Sequence, residues 1–144
     1  MNLINNLNKA VANFGVLYTK LHSYHWFVKG NQFYQLHELF EDLYDEVTEH
    51  FDAVAERILM LNERPLATLK DFLAVTTLKE ATGNETAEEM LENLLVDLTQ
   101  LNQELTETIK LAQEVEDEVT VDILLGITSS FQKHIWMVKA TLNK

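Results

Sequence analysis

Apolar residues recur at steps of three, four and seven along almost the whole of this chain, and very little interrupts them. Between Leu3 and Lys29 the stripe reads Leu3, Leu7, Val11, Phe14, Leu21, His25 and Val28. Between Phe33 and Asn62 it reads Leu36, Phe40, Leu43, Val47, Phe51, Val54, Ile58 and Leu61. Later stripes are Leu91, Leu94, Leu98, Leu101, Leu105, Ile109 and Ala112, then Ile123, Ile127, Phe131, His134 and Val138. Such spacing keeps one face of an α-helix apolar, whereas a strand would need strict alternation. The chain has one Pro and four Gly in 144 residues, so it has few places to turn. The sequence therefore predicts four long helices and an all-α fold.

The breaks agree with that reading. Lys29-Gly30-Asn31 is a stop signal, because Gly accepts the left-handed backbone that ends a helix. Pro65 forbids continuation of the second helix beyond Asn62. Thr86 and Glu89 have the spacing of a capping box opening the third long helix, which runs to about Glu116. The acidic turn Glu114–Glu118 precedes the fourth, from about Val119 to Leu142. Leu66–Asn84 is a long connection whose middle, Leu69–Val75, is expected to be one short helix. Two long helices, a crossover and two more helices are the connectivity of a ferritin-like four-helix bundle. Residues 1–144 read as a single domain of that kind, long enough for a core of its own.

Composition excludes several functions. With no cysteine there is no disulfide framework, thiolate metal site or cysteine nucleophile. No apolar run reaches the ~18 residues of a membrane span, and the first residues lack the pattern of a signal peptide. A cytoplasmic protein is expected. The formal net charge of −12 disfavours phosphate backbones and suits attraction of cations.

A second stripe crosses the second helix. With His37 taken as zero, Glu41 lies at about 40°, Asp52 at about 60° and Glu56 at about 100°, while the apolar stripe centres near about −80°. Tyr44, Thr48, Ala55 and Leu59 fall near His37 on this second face, a mixture suited to burial by another subunit. His37 and Asp52 are fifteen residues apart, about 22 Å along a helix. One metal ion cannot bridge that gap within a chain. Two such helices, antiparallel about a two-fold axis, would bring His37 and Glu41 of one chain to Asp52 and Glu56 of the other, with His25 in reach. Histidine plus carboxylate suits iron, manganese or zinc. Taken singly, each residue is more often a cap or part of a solvated face, and the alternative is a polar structural seam.

The segment LHSYHWFVKGNQFYQLHELFEDLYDEVTEHFDAVAERI, together with KHIWMVKATL near the end, strongly resembles the Dps-type mini-ferritins, the starvation-induced DNA-binding-protein family. The resemblance implies a hollow homododecamer. It also implies ferroxidase activity: Fe(II) is oxidised, usually with hydrogen peroxide but also by oxygen, and Fe(III) oxide is stored, protecting a bacterial cell from oxidative damage. Carried over by position, His25, His37 and Glu41 would come from one subunit and Asp52 and Glu56 from its neighbour. Iron is the expected metal, and zinc or other divalent ions could occupy the same site. Many members carry Asp where this chain has Glu41.

Trp26 would lie near the iron, either as an oxidisable ring or as an interface aromatic. His22, His50 and His134 read as structural or surface residues, and Met60, Met90 and Met137 as packing. Glu114, Glu118 and Asp122 resemble the carboxylates of a three-fold iron-entry pore, although acids also favour helix starts for ordinary reasons. Members that bind DNA usually have a mobile basic tail. Here Lys9 is the first basic residue, so no direct DNA binding and no membrane partner are expected.

Overall fold

The computed structural model describes residues 2–144. Its elements are α1 (Asn2–Phe27), α2 (Phe33–Met60), α3 (Leu69–Val75), α4 (Ala87–Glu114) and α5 (Glu118–Thr141). No strand occurs among the described residues. The long helices form a bundle in which α1 packs on α2 and α4, and α4 packs on α5, while α3 lies across α1 in the crossover. Contact between α2 and α5 is the sparsest of these. The bundle core is built largely from the expected stripes, with Phe14, Phe40, Leu94 and Phe131 wholly enclosed. In the last helix Leu124 is wholly enclosed, whereas Ile123, the residue expected inward, is only partly buried.

The ends depart from expectation by one or two residues, for a common reason. α2, α4 and α5 each close with a residue in left-handed backbone: Asn62 (φ 63°), Glu116 (φ 58°) and Asn143 (φ 62°). In each case the next amide reaches back across the turn: Glu63 to the Ile58 carbonyl, Asp117 to Ala112 and Lys144 to Lys139. This is the Schellman closure, here without glycine. It ends α4 at Glu114 rather than Glu116. α1 stops at Phe27 rather than Lys29, and Gly30 turns the chain at φ 116°. The capping box is present, with Thr86 accepting from the Glu89 amide and Glu89 from the Thr86 amide.

Buried polar contacts fix the crossover and the seams. Asn13, wholly buried, accepts from the Thr77 amide at 2.9 Å and donates to Glu104 at 3.0 Å, pinning the crossover between α1 and α4. Phe72 of α3 lies so close to α1 that a β-carbon on Gly15 would meet its ring at 2.8 Å. Lys20 and Asp97 form a buried ion pair at 2.7 Å between α1 and α4. Even so, burial raises the Asp97 carboxyl above its usual range, against the pull of Lys20. Arg57 reaches from α2 to the N-cap of α5, donating to Asp117 at 2.8 Å and Thr120 at 2.9 Å. This contact anchors the end of α2 that carries Asp52 and Glu56.

Candidate metal centre

His25 lies in the last turn of α1 and His37 in the second turn of α2, across the Gly30 turn. The carbonyls of a helix's last turn have no partner within the helix. The His37 ring supplies one, donating from Nδ1 to the His25 carbonyl at 2.7 Å. The His25 ring returns the contact, donating from Nδ1 to the His37 carbonyl at 2.7 Å. A carbonyl oxygen can use two lone pairs, so a place inside α2 does not prevent His37 from accepting. The rings stack at 3.6 Å, 15° apart.

This crossed pair decides the chemistry. A carbonyl only accepts, so each Nδ1 carries the proton. Both Nε2 lone pairs are therefore free, the arrangement metal-binding histidines need. Glu41, one turn beyond His37, places Oε1 4.0 Å from His25 Nε2. One donor atom from each of His25, His37 and Glu41 lies within 4.8 Å of the others. His25 is buried, His37 half-buried and Glu41 exposed, so the cluster opens outward. The donor set fits a hard or borderline divalent cation such as Fe²⁺ or Zn²⁺.

Asp52 and Glu56 are not in that cluster. They lie exposed on the same unbroken helix, about 22 Å and more along the axis from His37. Glu114, Glu118 and Asp122 are also exposed, around the α4–α5 turn, with exposed Val115 and Val119 between them. Of the methionines read as packing, Met90 is buried, while Met60 and Met137 are exposed on the isolated chain.

Three residues have more to do than their spacing suggested. His22, read as structural or surface, stacks on Tyr44 at 3.7 Å, and Tyr44 meets the His25 ring edge-on at 5.4 Å. The signal available was position: His22 is one turn before His25. The other two are His50 and His134. Glu46 of α2 accepts from His50 at 3.0 Å and from His134 of α5 at 2.9 Å. Burial would raise the Glu46 carboxyl, but hydrogen bonds from His134, His50 and Ser130 outweigh it and hold the group well below the usual carboxylate range. Glu46 and His50 are an i,i+4 pair, visible in the sequence, whereas His134 enters only through the fold.

A family model for the ferritin-like domain matches residues 4–144. General stress protein 20U of Bacillus subtilis (strain 168) is 51% identical over 140 residues, covering 97% of this chain and 97% of the relative. DNA protection during starvation protein 2 of Bacillus anthracis is 47% identical over 142 residues, covering 99% and 97%. The crystal structure of a Dps protein from Bacillus brevis superposes with a TM-score of 0.96 at 44% identity, covering 98% and 95%. Dps from Listeria innocua, in a structure from crystals soaked with zinc, superposes with a TM-score of 0.96 at 40% identity, covering 99% and 97%. The fold, the match along nearly the whole chain and these identities place this chain in the ferritin-like family, among the Dps-type mini-ferritins.

Proposed function

We propose that this protein is a ferroxidase that oxidises Fe(II), preferentially with hydrogen peroxide, and stores the ferric product inside a homododecamer in the bacterial cytoplasm. The observation that carries this reading is the crossed His25–His37 pair, which presents two imidazole lone pairs beside Glu41. Iron is the substrate. His25 and His37 would bind it through Nε2, and Glu41 would offset part of its charge. Asp52 and Glu56 of a second subunit would complete each of two equivalent sites about a two-fold axis. Their exposure, and that of Trp26, Leu59 and Met60 (66%, 57% and 66%), supports a face that a second subunit covers.

The electron balance favours paired ions. Two ferrous ions each lose one electron, and peroxide takes both electrons and two protons, breaking its O–O bond to give two waters. No hydroxyl radical is released, which is the protective benefit. Glu114, Glu118 and Asp122 would form rings of negative charge where three subunits meet, drawing Fe²⁺ inward. Direct DNA binding is not part of this reading: the formal charge of −12 per chain repels phosphate. A gel shift at moderate salt without divalent metal checks that point, and a clear shift would overturn it. The ferroxidase reading is tested by Fe(II) oxidation in the wild type against Asp52→Ala. A purely structural seam predicts that both oxidise iron no faster than buffer does.

A further inference from the structure

We propose that His22 and Tyr44 act as a coupled positioning pair for the metal centre, holding the plane of the His25 ring. The inference rests on the metal-centre reading above and assigns work to two residues outside the ligand set.

The His22 ring is fixed independently of any metal. Its Nδ1 donates to the Tyr18 carbonyl at 2.7 Å, an i−4 contact along α1. Tyr18 packs on one side of it at 4.4 Å and Trp26 meets it at 5.4 Å, 61° apart. The His22 ring lies nearly parallel to that of Tyr44, 20° apart at 3.7 Å. His22 belongs to α1 and Tyr44 to α2, so this stack joins the two helices beside the site. Tyr44 then stands almost perpendicular to the His25 ring, 88° apart at 5.4 Å, an edge-to-face contact.

Each metal-facing ring thus has supports beyond its own hydrogen bond. His37 is stacked between His25 and Phe33, the latter at 5.0 Å. His25 has His37 against it and Tyr44 edge-on. One hydrogen bond fixes one ring atom and leaves the ring free to swing about it, whereas packing on the ring fixes its plane. A partner that orients a ligand from behind contributes substantially to metal affinity.

The test uses the assembled protein and cobalt(II), followed by calorimetry and by the visible spectrum of the bound ion. His22→Ala weakens cobalt binding about tenfold, the low end for loss of an orienting partner, and shifts the spectrum. His22→Phe keeps the stack and restores most of that loss. Tyr44→Leu weakens binding about as much as His22→Ala. The double variant is no worse than Tyr44→Leu alone, because the two residues act through one contact. Unchanged affinity and spectrum in both single variants overturn the inference while leaving the metal centre intact. Additive losses in the double variant also overturn it. A wild type that binds no cobalt overturns the metal centre itself, and this inference with it. A role confined to bundle stability would lower Tm and leave the spectrum of the bound ion unchanged.

Discussion

Two clusters in this molecule contain the same side chains, two histidines and a glutamate, in opposite states. In the α1–α2 cluster, His25 and His37 bond through Nδ1 to backbone carbonyls, and Glu41 stands 4.0 Å from the nearer Nε2. In the α2–α5 cluster, His50 and His134 bond through Nε2 to the two oxygens of Glu46 at 3.0 and 2.9 Å. The first leaves its lone pairs free and faces outward. The second consumes its carboxylate and ties the sparsely packed seam between α2 and α5. Composition does not distinguish them. The difference lies in which ring nitrogen the surroundings protonate, and so in which one a cation can reach.

The largest expected effect tests that difference directly. His37→Ala should weaken divalent-metal binding at least about a hundredfold, more than the loss of a mere orienting partner. His134→Ala should change it less than about twofold, since His134 lies outside the proposed site. Calorimetry with cobalt(II) measures both, and equal losses would erase the distinction between the clusters.

Stability should reverse the order. Glu46→Ala strands two histidine donors at a seam and should cost about 2 kcal/mol, or about 6 °C in Tm. Glu41→Ala, at an exposed position, should stay within about 0.5 kcal/mol. Thermal unfolding of the metal-free protein decides between them.

Acid sharpens the comparison further. The folded-state value of Glu46 is depressed below its ordinary 4.5. The stability this contributes is therefore fully present above about pH 4.5 and is lost as pH falls below that toward the folded value. Glu46→Gln should flatten the loss of Tm between about pH 5 and pH 3, while Glu41→Gln should leave it as in the wild type. An unchanged acid limb in Glu46→Gln would show that the seam carries no such charge. The smallest change expected among the proposed metal ligands belongs to Glu41→Asp, which shortens the carboxylate by one methylene. It should alter cobalt affinity by only about threefold, as an exposed ligand with freedom to adjust.

Much of this was legible in the sequence. The helices followed from the 3–4 spacing of apolar residues, and the crossover from Pro65 and the Thr86–Glu89 box. Boundaries were less legible because Asn62, Glu116 and Asn143 adopt left-handed backbone that a reader expects of glycine. At the site, spacing put His37 and Glu41 on one face and set Asp52 and Glu56 too far away to join them. The crossed carbonyl bonds could not be read, because they depend on how the Gly30 turn places the end of α1 against α2. The aromatic support from His22 and Tyr44 was hidden for the same reason. Glu46 and His134 are 88 residues apart, so their contact needed the bundle itself.

Ferroxidase activity at a shared site is tested by a stopped-flow trace of ferric absorbance. Fe(II) is loaded without oxygen and then mixed with hydrogen peroxide, for wild type and Asp52→Ala side by side. Oxidation in the wild type should be fast and largely lost in the variant, as a site shared between subunits requires. Equal traces, neither faster than protein-free iron, would contradict the ferroxidase account and leave the histidine–carboxylate stripe as a polar structural seam.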